Sequence, residues 1–111
     1  MKGIFSGMIM LSLLLGTAGT AAAQDSTQAL YKSKCQICHG PDATGSPAGQ
    51  KLGVKDFQSP EVQKQPDSEL LEIARKGKAK MPAYEGKLTN NQIADLIKFM
   101  RELAKGAGKG K

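Results

Sequence analysis

Both cysteines and the single histidine of this 111-residue chain fall within five consecutive positions, Cys35 to His39, in the stretch KCQICHGPDATG. No other segment holds a soft ligand of this kind. Two thiols and an imidazole placed so closely either hold a metal or form a covalent attachment point. Whatever body this chain folds into must be built around that cluster.

The spacing is Cys-x-x-Cys-His, the attachment signature of a c-type haem. Two cysteines three positions apart at a helix end both reach the vinyl groups on one edge of the macrocycle. The adjacent histidine then lies under the iron and supplies one axial nitrogen. Structural zinc calls for four ligands, usually two such pairs, and only three are present. A thioredoxin-type pair needs a strand-helix-strand context, which the chain lacks. A plain disulfide between Cys35 and Cys38 would close a very short loop, staple almost nothing, and leave His39 unexplained. One covalently bound haem c, with thioethers to Cys35 and Cys38 and iron ligation by His39, is the expectation.

The chain carries 16 Lys and Arg against 10 Asp and Glu, a formal net charge of +6. Lys2 precedes an apolar run, IFSGMIMLSLLLG, and small residues ending TAAAQD. That order is a signal peptide over residues 1–23, cleaved after Ala23. The alternative is an uncleaved anchor, but glycine, serine and threonine dilute the stretch against what a spanning helix needs. Export places the protein in the periplasm, with no stable membrane insertion after cleavage. Only Tyr31, Phe57, Tyr84 and Phe99 remain as aromatics. So short a domain needs something besides side chains in its core.

Hydrophobic spacing predicts short helices joined by long loops and no strand. Asp25 or Ser26 caps a first helix to about Cys38, with Leu30, Tyr31 and Cys35 on one side. The stretch GPDATGSPAGQKLGVKDF reads as an ordered loop. Ser59 and Pro60 open a single helical turn. Asp67 or Ser68 caps a helix with Leu70, Leu71, Ile73 and Ala74 on its apolar side, ending at Gly77. Thr89 and Gln92 form a capping box before Ile93, Leu96, Ile97, Met100 and Leu103. Gly106 is expected to stop that helix, leaving a domain over 24–105 and a flexible basic tail over 106–111.

A six-coordinate iron needs a second axial ligand. Beyond residues 1–23 the methionines are Met81 and Met100. Met100 lies on the apolar stripe of the last helix and reads as core. Met81 lies in a loop, where Pro82 biases it towards extended backbone that can present the side chain to iron. The other ring nitrogen of His39 should donate to a carbonyl. Pro47 is the candidate acceptor, with Pro41 as the alternative.

The segments ALYKSKCQICHG, KMPAY and LTNNQIADLIKFMREL, in this order, resemble a class I cytochrome c of the small single-haem bacterial kind, close in style to the c6 and c5 groups. The resemblance covers about Ala29 to Leu103. It implies an all-α cytochrome c fold, with three to four short helices and long loops around one covalent haem. The first and last helices would cross, with Tyr31 and Phe99 as the aromatic pair at the crossing. Where the family often has glycine at that contact, this chain has Thr27.

Arg75, Lys76, Lys78, Lys80 and Lys87 cluster around Met81, a patch suited to steering a redox partner with an acidic docking surface. Nucleic-acid binding is not expected, because no aromatic platform accompanies the charges. A monomeric one-electron carrier between redox proteins, and not an enzyme, is the leading function. The alternatives are a subunit held in a dehydrogenase or reductase, or an enzyme or sensor with an open iron position. Against the last stands the lack of a second histidine for acid–base work.

Overall fold

The computed structural model describes residue 3 and residues 26–109, the last three of these as backbone only. Signal cleavage after Ala23 therefore concerns residues outside those described. Among the described residues there are helices, turns and two isolated bridges, and no extended strand.

Helix α1 covers residues 26–39 and contains a π-helical turn, Tyr31–Cys35, followed by a last α-turn, Gln36–His39. α2 is Pro47–Lys51 and α3 is Pro60–Lys64. α4 is Asp67–Lys76 and α5 is Asn90–Lys109. The two short helices begin alike. Ser46 and Ser59 each sit at the N-cap with proline next, and each hydroxyl accepts from the backbone N–H three residues on. Proline fits there because its missing N–H would have no helical partner anyway.

The capping box of α5 is formed: Thr89 N–H donates to Gln92 Oε1 at 2.8 Å and Gln92 N–H to Thr89 Oγ1 at 3.1 Å. α4 starts differently from expectation. Pro66 occupies the N-cap, and its carbonyl accepts from the N–H groups of Glu69 and Leu70. Asp67 is thus already helical, and its carboxylate accepts from Arg101 Nε at 2.8 Å. Arg101 also donates to Gln65 O at 2.6 Å, which ties α5 to the turn before α4.

The buried core joins Tyr31, Val62 and Leu70 to the stripe Ile93, Leu96, Ile97, Met100 and Ala104 of α5. The stripe has the three-and-four spacing that puts these residues on one face. Tyr31 packs on Phe99 with ring centroids 5.3 Å apart, so the first and last helices meet where expected. Thr27 is buried on α1.

Two further departures concern loops and ends. The expected loop after the cysteine cluster contains α2. The last helix runs through Gly106 to Lys109 in place of a tail from Gly106. Gly106 lacks the positive φ that a terminating glycine adopts. A glycine inside a helix costs about 1 kcal/mol relative to alanine. Burial of Ala104, whose carbonyl also accepts from Gln58 Nε2, holds the preceding turn in place.

Candidate functional site

A cavity of ≈ 290 Å³ opens between α1, the loop over 77–88, α4 and α5. Cys35, Cys38 and His39 line it from α1, Met81 from the loop, and Leu70, Leu96 and Met100 from the two long helices. Its lining is mainly apolar.

The cysteine cluster occupies the last turns of α1, where a helix leaves its carbonyls without partners. The loop that follows satisfies them in order. Gly40 N–H donates to Gln36 O at 2.8 Å, Gly45 N–H to His39 O at 2.8 Å, and Ser46 N–H to Cys38 O at 3.0 Å. The Ser46 hydroxyl donates to Ile37 O at 2.6 Å. The Tyr31 hydroxyl, buried, donates to Gly40 O. Above this turn α2 comes unusually close. A Cβ at Gly49 would lie 1.8 Å from Cys38 O, so only glycine allows the two backbones to meet.

Just before the cluster, the π turn is closed by Gln36 N–H donating to Tyr31 O. It inserts one residue into the helix and re-aims the side chains that follow, as such turns often do at functional sites.

Cys35 and Cys38 are half-buried and are not joined in a disulfide. Burial pushes the Cys35 thiol up to about 11, against a smaller opposite pull from Lys34. His39 is half-buried against the edge of Phe57, with ring centroids 5.9 Å apart at 87°. Burial lowers its pKa, which holds the imidazole neutral, the form that ligates metal. Its Nδ1 is buried without a hydrogen-bond partner among the described residues.

The last point corrects one expectation. The Pro47 carbonyl does not accept from His39 Nδ1, and neither does that of Pro41. Pro47, expected in a loop, is the first residue of α2. Ser46 and Gly49, which position the cluster, escaped the reading. The Ser-Pro step that locates α3 at Ser59–Pro60 recurs at Ser46–Pro47 and could have revealed α2.

Met81 sits in a tight turn. Lys78 N–H donates to Met81 O at 3.1 Å and Met81 N–H to Lys78 O at 2.9 Å. Gly77 enters the turn with φ +78°, and Ala79 has φ +54°, a left-handed conformation that disfavours any residue with a Cβ. Beyond Met81 the chain returns to α4: Tyr84 N–H donates to Ala74 O at 3.0 Å and Glu85 N–H to Arg75 O at 3.1 Å. Met100, read as core from its stripe, is buried and also reaches the cavity wall.

The charges are partly committed. Glu85 pairs with Arg75 at 2.9 Å and with Lys76 at 3.1 Å, and Arg75 also pairs with Glu72 at 3.2 Å. Lys76 first, then Arg75, holds the Glu85 carboxyl below the usual carboxylate range. Lys78, Lys80 and Lys87 are exposed and make no ion pair among the described residues.

These residues fit a covalently held haem. Two cysteines and a half-buried imidazole share one wall of an apolar cavity, and Met81 lines the same cavity from a distant loop. Residues 22–100 match the sequence profile of the family described as cytochrome C oxidase, cbb3-type, subunit III. Among solved structures, the KustC0563 c-type cytochrome is similar at 29% sequence identity and a TM-score of 0.64, over 69% of this chain and 95% of that one. No curated protein matches the chain.

Proposed function

The chain belongs to the family of cytochrome C oxidase, cbb3-type, subunit III, and is a class I c-type cytochrome; on that premise we propose that it is a periplasmic one-electron carrier with a single His/Met-ligated haem. The haem supplies the reversible one-electron change at iron. Cys35 and Cys38 hold it by thioethers. His39 and Met81 would supply its two protein ligands, and holding both in each oxidation state would keep electron transfer free of ligand exchange. Sulfur as the second ligand favours reduced iron and raises the potential. The apolar lining of Leu70, Leu96 and Met100 excludes water, which favours the less charged, reduced site. No step requires a catalytic residue.

The observation that carries this reading is the arrival of Met81 at the wall of the cavity that holds His39 and both cysteines. The test is a redox-difference spectrum and a potentiometric titration of the purified, haem-loaded protein beside Met81→Ala. The variant should lose the sulfur-to-iron charge-transfer band, bind cyanide readily and drop in potential. An unchanged spectrum and potential would remove Met81 from the site.

Lys78, Lys80 and Lys87, exposed near Met81 and without an ion pair among the described residues, support a docking face for a partner with an acidic surface. Arg75 and Lys76 contribute less, since Glu85 neutralises part of their charge. Such a contact is small and weakens with salt. A second reading, a subunit held in a respiratory complex, is favoured by the family's own description. Gel filtration of native extract separates the two: the free carrier elutes as a small monomer, the subunit with a large assembly. No helix among the described residues is long and apolar enough to cross a membrane. If residues 1–23 anchored the chain, washed membranes would retain it.

A further inference from the structure

The turn that carries Met81 is held by few bonds of its own. Its residues 78–80 are exposed, and the left-handed Ala79 works against it. Strain of this kind persists only where the surroundings hold the backbone in place. Two side chains immediately beyond Met81 do so. The Tyr84 hydroxyl donates to Lys34 O at 3.0 Å, spanning fifty residues of sequence to reach the backbone beside Cys35. The Glu85 carboxylate bridges Arg75 and Lys76 at the end of α4. The first bond ties the loop to the helix of the thiols and imidazole. The second ties it to the helix on the cavity's other flank.

We propose that Tyr84 and Glu85 are positioning residues, forming a two-point latch that holds the Met81 turn closed over the cavity and thereby sets how often the methionine leaves the iron. The inference rests on the proposed ligation by Met81. Tyr84 suits the task because its ring lines the cavity while its hydroxyl reaches across to α1. Neither residue touches the iron, and both act through the turn between Gly77 and Leu88.

The test uses the ferric, haem-loaded protein. The rate at which added imidazole replaces methionine, in the limit where loop opening governs it, reports how often the turn opens. Tyr84→Phe keeps the ring and removes the bond, and Glu85→Gln keeps the size and removes the charge. Loss of one net hydrogen bond predicts roughly two- to tenfold faster capture in Tyr84→Phe, with a smaller rise in Glu85→Gln. The global unfolding midpoint should move little, because the turn opens without the core. Unchanged capture in a folded Tyr84→Phe overturns the latch. Should that variant fail to accumulate, an unchanged rate in Glu85→Gln overturns it instead. The ligation reading fails separately: a wild type without the sulfur-to-iron band, or one that captures imidazole as fast as Met81→Ala, removes Met81 and leaves nothing to latch.

Discussion

Gly49→Ala should damage the site through a single methyl group. The added Cβ would stand 1.8 Å from Cys38 O, 2.6 Å from Cys38 C and 3.0 Å from Cys38 Cα. All three are backbone atoms of the turn that carries the cysteines, so none can swing away. To reach ordinary van der Waals separation α2 must retreat by roughly 1.5 Å. That movement breaks or stretches the bonds from Gly45 and Ser46 to the carbonyls of His39, Cys38 and Ile37. Three such bonds contribute about 3 kcal/mol at a typical net of ~1 kcal/mol each. Alanine returns about 0.5–1 kcal/mol through its better helix propensity. The net expected loss is therefore about 2 kcal/mol. Gly106→Ala is the control: it too is helical, nothing lies within 4 Å of its added Cβ, and it should gain about 0.5–1 kcal/mol. Guanidinium unfolding of the haem-loaded proteins measures both, alongside the fraction of each that carries haem. A Gly49→Ala protein as stable as wild type would refute the close approach, and with it the account of how α2 fixes the cysteine turn.

Ser46→Ala removes the N-cap of α2 and the donor to Ile37 O together, and should cost about 1–2 kcal/mol in the same unfolding assay. Acid should loosen the Met81 turn through Glu85. Its folded pKa lies below the ordinary 4.5, so its ion pairs contribute above about pH 4.5 and are lost as pH falls through the lower folded value. Imidazole capture by wild type, taken at saturating unprotonated imidazole at each pH, should therefore accelerate on acidification. Glu85→Gln, whose neighbours Arg75, Lys76 and Glu72 remain, should lack that part of the rise. Equal acid profiles would contradict the assignment. High salt should slow electron exchange with an acidic partner more in wild type than in a Lys78→Gln, Lys80→Gln variant, as stopped-flow mixing at several ionic strengths would read.

Much of this protein could be read in one dimension because the relevant physics is local. The Cys-x-x-Cys-His spacing lies within little more than one helical turn, so the signature of a c-type haem is legible in five adjacent residues. The Thr89–Gln92 box, the Ser59–Pro60 start and the Gly77 stop are also bonds between near neighbours. The apolar stripe of α5 is a matter of periodicity, and it marks the face that becomes the core. What near neighbours do not determine was misjudged. By local propensity Asp67 caps α4, but Pro66 begins the helical bonding and a distant Arg101 claims the carboxylate. Gly106 resembles a stop signal, yet it lacks the positive φ of a terminating glycine and the helix runs on to Lys109.

The amino-acid order alone therefore pointed to a covalently bound haem and to the helical class. Tertiary structure decided which groups meet. It brought Gly49 against Cys38, left His39 Nδ1 without the carbonyl expected of Pro47, and carried Tyr84 back to Lys34. The physical reason is range. A cap or a spacing is judged by atoms a few bonds apart, whereas a close approach or a latch exists only once the whole chain has closed around its cavity.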